Sequence, residues 1–561
     1  MNVNRVETTP ILIVGGGPAG LLASILLSKY HIKHILIERR SGPQQAPAAH
    51  VINTRTMEII RAAGLNTADF YALNSHPEAT RVSWVKTLRD PAIGEFRLDG
   101  DQSRMAHRAT VSPEHITNIS QNNFEAALLD IARSYPEADI RFSEQWLTFI
   151  DNDKKRCLVA GGKKANYEIK AKYLLAADGA ASPIAKALSV VKKGPASLAS
   201  FLTLSCEVDI TTITKKNTSL LYWCLSPKAP GVVIVHDPKN ISVYMRPLYE
   251  PYESIDDYDD DRCHEILKQL FGADVNFKIC HKGVWQMTAQ VAEHFRRDNV
   301  FLIGDSAHRF PPTGGLGLNS GAADVHNLVW KLAAALNNNL SAEIVEQLFD
   351  SYEQERKPVA QANCDTSVHN HFKMDEVILA MGLNVGHAHI PAKLRSWSMW
   401  RYLPDMCYSW VDGFLASTIE RKLSAFSPET LGKIQASIDS QAAHFDMLGA
   451  ELGFVYYQTE TTNTVQDYLP KAEVGARLPH LYFELGSERL SSLDLIDYRS
   501  YCLFTHGSVL PETHQLYGLA LRLIDIQDAK NSEMIAAGFN LPPGSWLLVR
   551  PDGHIAARST L

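Results

Sequence analysis

At 561 residues the chain is too long for one hydrophobic core, so two or three domains are expected. Its 45% hydrophobic and 21% charged residues place it among ordinary globular proteins. A formal net charge of -7 removes any electrostatic reason to expect nucleic acid or an anionic membrane as partner.

Near the N-terminus Arg5 and Glu7 lead into a β-branched run, Ile11 to Val14, which reads as a buried strand. Gly15-Gly16-Gly17-Pro18-Ala19-Gly20 follows, then the apolar density of a helix from Leu21 to Tyr30, then a strand from His34 to Ile37 ending at Glu38. Each part of this G-x-G-x-x-G unit has a physical role. Gly15 permits the tight turn, Gly17 leaves room for a pyrophosphate, and Gly20 lets helix and strand approach closely. Pro18 and Ala19 complete the turn before the helix, whose N-terminus attracts anionic charge. Glu38 stands where an acceptor for ribose hydroxyls belongs. The unit predicts dinucleotide binding without separating FAD from NAD. The apolar segment Leu21–Leu27 is too short to cross a bilayer, and a soluble cytoplasmic protein is expected.

Downstream, strand-like runs at Phe201–Val208, Ser219–Leu225, Gly231–His236 and Ile241–Arg246 are separated by turn residues, which suits a largely antiparallel sheet. Alternation puts Tyr244 and Arg246 on one face and Val243 and Met245 on the other, with Tyr222 on a neighbouring strand. The acidic run Asp256–Asp261 reads as a solvated loop or helix start, because its residues are consecutive and lack EF-hand spacing. Another strand, Asn299–Ile303, leads into Gly304-Asp305-Ser306-Ala307-His308. Next come Pro311-Pro312-Thr313-Gly314-Gly315-Leu316-Gly317-Leu318-Asn319 and a helix from about Ser320 to Leu336. A strand-end carboxylate such as Asp305 can accept from a sugar-alcohol hydroxyl, and the glycine-rich loop aims backbone N–H groups at anionic charge.

Helical patterns continue from Leu348 to about Arg421, and Ser427-Pro428 suggests a linker. Strands return at Ser500–Thr505, Leu519–Ile526 and Trp546–Arg550, with a hairpin turn at Pro551-Asp552-Gly553. The eight cysteines (Cys157, Cys206, Cys224, Cys263, Cys280, Cys364, Cys407 and Cys502) form no Cys-x-x-Cys pair, so neither a zinc site nor a dithiol motif is expected.

Three stretches carry a family resemblance: GGGPAG at 15–20, ADG at 177–179 and GDSAHRFPPTGGLGLNSG at 304–321. They resemble the class A flavoprotein aromatic hydroxylases, the family of para-hydroxybenzoate hydroxylase and phenol hydroxylase. HVINTRTMEIIRAAGL at 50–65, ISQNNFEAALL at 119–129 and VGARLPH at 474–480 are similar to the dichlorophenol hydroxylase subgroup. The resemblance implies an α/β fold: a Rossmann-like FAD-binding domain (1–78, 106–189 and 292–424) with an inserted, largely antiparallel substrate-binding sheet (79–105 and 190–291). A linker or helical segment (425–470) and a thioredoxin-like domain without redox cysteines (471–561) would follow. In that subgroup the last domain is structural or supports a homodimer.

The implied activity is an FAD-dependent monooxygenase that uses NADH or NADPH and O2 to hydroxylate a phenolic or related aromatic substrate through a flavin hydroperoxide, with no metal. Glu38 and Arg39 would hold the adenosine end, Gln121 would lie along the cofactor, and Asp178 and Asp305 would meet it from the other motifs. Pro312 and the backbone of Gly315, Leu316, Gly317, Leu318 and Asn319 would line the isoalloxazine. His50 falls where phenol hydroxylase carries an acidic residue thought to deprotonate substrate, and an imidazole can take that proton near neutral pH. Tyr222 and Arg246 are candidates for orienting a phenol or carboxylate. One departure stands out: the family's motif runs Asp-Gly, two residues, Ser, two residues, Arg, but here Ala185 holds the arginine position and Lys186 follows it. Reduction by NAD(P)H would then rest on Lys186 or another cation. Baeyer–Villiger insertion or epoxidation of a polyketide-like substrate on the same fold, and a flavin-binding protein without turnover, stay open as alternatives.

Overall fold

The computed structural model describes residues 5–162, 165–214, 218–383, 393, 416–458, 463–507 and 516–559. Cys407 and part of the helical stretch expected up to Arg421 lie outside the described residues.

The strand Val6–Val14 is fully buried at Ile11, Leu12 and Ile13, as a strand covered on both faces must be. It pairs in parallel with His34–Glu38 on one side and with Tyr167–Ala176 on the other. Ala138–Phe142 and Val300–Leu302 extend the parallel sheet at its two ends. The helix Pro18–Lys29 packs against this sheet and against the helices Gln121–Arg133 and Leu316–Asn337.

The second sheet has seven strands, and all four runs read from the sequence lie in it. Its strands Ala199–Val208, Ile241–Leu248, Gly231–Asp237 and Leu221–Cys224 are neighbours in that order and antiparallel. Arg81–Val85 joins Leu221–Cys224 in parallel, and Gly94–Arg97 closes that edge. The acidic run begins the helix Asp260–Phe271, with Asp259 capping it by accepting the Arg262 N–H at 2.8 Å. This helix covers one sheet face, where Leu267 and Phe271 share a core with Leu204 and Tyr244.

Ser427-Pro428, expected to mark a linker, instead starts the helix Pro428–Asp439. The Ser427 hydroxyl accepts the Thr430 N–H at 3.2 Å, and proline sits in the first turn, where no N–H is missed. The C-terminal sheet has the order Ala520–Asp525, Ser500–Thr505, Trp546–Val549, Ile555–Arg558. Its first pair is parallel and the other two are antiparallel. Cys502 is buried in this sheet, and the seven described cysteines are all free thiols. Among the described residues no helix is long and apolar enough to cross a membrane.

Candidate active site

Three motif turns leave the sheet side by side. Val14 pairs with Ala176, and Ala176 with Leu302, so GGGPAG, Ala177-Asp178-Gly179 and Gly304-Asp305 all follow the carboxyl ends of adjacent parallel strands. Ligands of open α/β sheets bind at that edge. The first and last turns also touch. A Cβ built on Gly304 would lie 3.4 Å from the Ala19 Cβ, and one on Gly321 would lie 3.5 Å from it.

Within the first turn the glycines divide by role. Gly15 has φ +114, and a Cβ there would sit 2.1 Å from the Ala177 carbonyl oxygen; one on Gly20 would sit 2.0 Å from the Gly15 oxygen. Both are required by packing. Gly17 and Gly317 have no atom within 4 Å of such a Cβ, so at these two points the backbone faces open space. Unblocked backbone at two helix N-termini fits the diphosphate and ring of a flavin dinucleotide.

Glu38 accepts the Gly16 N–H at 2.7 Å and the Arg40 N–H at 2.8 Å. Burial raises its pKa, but these donors and the Arg40 guanidinium outweigh that and leave it below the ordinary carboxylate range. Arg39 is exposed; the side chain that pairs with Glu38 is Arg40, which the sequence reading passed over. Gln121 accepts the Ala49 N–H at 3.3 Å and donates to Glu125 at 2.9 Å, which ties its helix to the segment before His50.

The Asp305 side chain is exposed, and the turn carrying it is held from behind. The fully buried Asp324 accepts from the Gly304 N–H at 3.2 Å, from His308 at 2.7 Å and from Arg356 at 2.9 Å. Asp324, His308 and Arg356 are functional supports that no spacing rule singled out. In the following loop Gly314 and Gly315 both have positive φ, Pro312 is exposed, and Gly315 caps the helix Leu316–Asn337. Asn319, one turn in, accepts from the Asn53 N–H at 3.0 Å and donates to the Val51 carbonyl at 2.9 Å.

His50 therefore stands next to the residue bonded to the glycine-rich loop. Its Nδ1 lies 3.1 Å from the Asn118 Oδ1, an arrangement in which Nδ1 carries the hydrogen and Nε2 keeps its lone pair. Burial lowers its pKa, only partly offset by Asn118, so the ring is a neutral acceptor near pH 7. Opposite it stands His236, edge-to-face with ring centroids 5.5 Å apart. No motif pointed to His236.

Two expected substrate contacts need correction. Tyr222 and Arg246 lie on the sheet face covered by Asp260–Phe271, not on the face toward His50. The Tyr222 hydroxyl accepts the Ser219 N–H at 2.7 Å, and Tyr222 belongs to the core beneath that helix. The Arg246 Nε donates to the Tyr258 hydroxyl at 2.9 Å. Alternation was read correctly, since Val243 and Met245 do face the other way, but the wrong face was chosen for the site.

The second motif is closed by its own turn: Asp178 accepts from the Ser182 hydroxyl at 2.6 Å and from the Ile184 N–H at 3.1 Å. Ala185 is buried in the main core and Lys186 is exposed. The cation that reaches these turns is Lys192, whose Nζ donates to the Ala180 carbonyl at 3.2 Å and the Asp305 carbonyl at 3.0 Å. Burial, with Arg309 nearby, brings its pKa down to about 8.

Residues 8–367 match the model described as FAD binding domain, and the chain belongs to that family. It is 29% identical, over 99% of its length and 94% of the relative's, to a putative polyketide hydroxylase of Streptomyces halstedii. It is 28% identical, over 98% of its length and 93% of the relative's, to 2,4-dichlorophenol 6-monooxygenase of Cupriavidus pinatubonensis. Its fold superposes on the flavin-dependent monooxygenase PieE, solved with FAD and substrate, with a TM-score of 0.81 at 23% identity, covering 100% of this chain and 96% of that one.

Proposed function

We propose that the chain is an FAD-dependent monooxygenase that uses NADH or NADPH and O2 to hydroxylate a phenolic or related aromatic compound. The observation that carries this reading is the meeting of the first and last motif turns beside His50, a neutral imidazole facing a sheet. In this reading Gly15 to Gly20 and Glu38 hold the diphosphate and adenosine end, with Arg39 alongside. Gln121, Asp178 and Asp305 meet the middle of the cofactor, and Pro312 with the backbone of Gly315 to Asn319 borders the ring. Bound there, FAD supplies electron transfer from a nicotinamide and activation of oxygen.

The protein's own contribution is substrate activation and shielding. His50 Nε2 accepts the phenolic proton while Asn118 fixes the ring, and the phenolate so formed is the stronger nucleophile. The seven-stranded sheet shields the reacting centre from water. Lys192 takes the place of the motif arginine absent at Ala185. In this reading the chain divides into FAD-binding (1–78, 106–189, 292–424), sheet (79–105, 190–291), linker or helical (425–470) and C-terminal (471–561) parts. The strand order and directions of the last part support a thioredoxin-like domain. A homodimer and a cytoplasmic location complete the reading.

The test is stopped-flow reduction of the purified yellow protein by NADH and by NADPH, with a panel of phenols. Substrate-stimulated flavin reduction and incorporation of one oxygen atom into the ring are expected. A colourless protein that takes up no FAD, or a flavin reduced by neither nicotinamide in the presence of substrate, overturns the proposal.

A further inference from the structure

The seven-stranded sheet is irregular at one edge. Its outer strand Phe277–Met287 runs antiparallel to Ala199–Val208, with Ser205 opposite His281 but Cys206 opposite Ile279. Cys280 is therefore the extra residue of a bulge, and it stands across from Cys206. Residues so opposed lie roughly 5–6 Å apart at Cα, inside the span of about 4.4–6.8 Å that a disulfide needs.

The two side chains also share a face. Leu204, Cys206 and Val208 point into the core beneath the helix Asp260–Phe271, and Phe277 and Ile279 pack against that core. Lys282 reaches the same helix, its Nζ donating to Asp260 at 2.9 Å and to the Tyr258 carbonyl at 3.2 Å. Alternation back from Lys282 puts Cys280 on the helix side and His281 on the other. The bulge absorbs the break in alternation, so Ile279 and Cys280 both lean toward the side of Cys206. Among the seven described cysteines only Cys280 is exposed. Burial, with Cys280 and Cys263 nearby, pushes the Cys206 thiol up to about 12, so it stays protonated near neutral pH.

We infer that Cys280 and Cys206 form a peroxide-sensitive modification site, where the exposed thiol is oxidised first and the buried one then closes a disulfide between the two strands. The inference is independent of the hydroxylase reading. Its oxidant is hydrogen peroxide, small enough to meet an exposed sulfur on an edge strand. The Cys280 thiolate attacks one peroxide oxygen, so that an S–O bond forms and the O–O bond breaks. The hydroxide that leaves takes up the proton released by the Cys280 thiol and becomes water. The Cys206 sulfur then attacks the sulfenic sulfur: the S–S bond forms, the S–O bond breaks, and the departing hydroxyl takes the Cys206 proton as a second water. Two thiols lose two electrons in all, and one peroxide is reduced to two waters. Cys206, buried and protonated, is a poor first nucleophile and reacts through the proximity that strand pairing gives it.

The test takes the reduced, FAD-loaded full chain, removes the reductant, adds a small molar excess of hydrogen peroxide, then alkylates and digests the product. Mass spectrometry is expected to find the peptides of Cys206 and Cys280 joined. Two of the eight thiols should be lost, and dithiothreitol should restore both. Cys280→Ser, a change at an exposed position, should abolish the loss. Cys206→Ala should halt the reaction at a Cys280 sulfenic acid, which dimedone traps. If the buried Cys206→Ala fails to fold, the wild-type peptide map and Cys280→Ser still decide the matter. Cys280 joined to any other cysteine, within the chain or between chains on a non-reducing gel, overturns the inference. So does a Cys280 that peroxide leaves as a thiol, or carries to sulfenic acid while Cys206 stays free.

Discussion

The Asn319 side-chain amide donates to the Val51 carbonyl at 2.9 Å, joining the loop that would border the flavin to the residue that follows His50. The same side chain donates to the Gly315 carbonyl at 2.6 Å and accepts from the Thr56 hydroxyl at 2.7 Å, so one asparagine fixes the distance between the two. Asn319→Ala strands several of these buried groups, at a cost on the order of 1–3 kcal/mol each. The expected outcome is a lower melting temperature and a raised FAD dissociation constant, measured by thermal melt and by flavin fluorescence. Unchanged values for both would remove Asn319 from this role.

The glycines of the first turn make a paired prediction. Gly15→Ala places a methyl 2.1 Å from the Ala177 oxygen at φ +114, so the turn itself must deform and the protein should fold poorly or without FAD. Gly17→Ala meets no protein atom within 4 Å, so it should fold as the wild type does while binding FAD more weakly. Circular dichroism separates the two effects from FAD content. Wild-type FAD affinity in Gly17→Ala would mean that the open space is not the diphosphate site.

This contrast also shows what could be read from the sequence. The turn, the strands flanking it and the later Gly-Asp segment were legible because glycine spacing and β-branched runs encode local backbone geometry. The strand Ser500–Thr505 matched to the residue for the same reason. What escaped depends on how distant elements pack. The choice of Tyr222 and Arg246 failed because alternation sorts residues onto two faces without saying which face the helix Asp260–Phe271 will cover. His236 shares its face with Val232 and Ile234, whose partners are Met245 and Val243, so it was missed together with that face. Lys192 lies beyond the motif it serves and reaches it only through tertiary contact.

If His50 takes the substrate proton, His50→Ala should slow hydroxylation while leaving FAD content intact. A loss of roughly 100- to 10,000-fold is the usual scale for a general base. Burial holds the His50 pKa below its ordinary value of 6.5, so the base stays competent on the acid side of neutrality. The acid limb of kcat/KM should therefore fall below pH 6.5 in the wild type and vanish in the variant. An acid limb that survives in His50→Ala assigns it to another group.

Lys192 gives a pH dependence of the opposite kind. Its folded pKa of about 8 is below the ordinary 10.5, so between these values the unfolded chain binds the proton more readily. Its contribution to the stability of the unliganded protein therefore rises with pH across that window. If the ammonium balances the anionic cofactor, FAD affinity should do the reverse and weaken as pH rises through about 8. Lys192→Met should bind FAD weakly and flatly with pH, and Lys192→Arg should keep affinity at higher pH. A wild-type profile flat through this range would show that the ammonium does not balance FAD.

Glu58 and Arg477 test how the C-terminal part is fastened to the flavin-binding core. Arg477 Nε donates to the Glu58 carboxylate at 2.8 Å, Ser112 donates to it at 2.6 Å, and Arg55 adds a contact at 3.1 Å. Burial pushes the Glu58 pKa up, but Arg477 and Arg55 outweigh it and hold the carboxyl below its ordinary range. The stabilisation is thus present above the unfolded pKa and lost as pH falls through the lower folded one. Arg477→Met removes the principal partner and leaves the carboxylate buried, which should cost about 3–5 kcal/mol in a denaturant titration. Adding Glu58→Gln removes the under-bonded carboxylate but leaves buried Arg55 without its ion-pair partner, so part of that loss should be recovered. A double variant as unstable as Arg477→Met would place the cost in lost packing of the arginine stem rather than in the stranded charge.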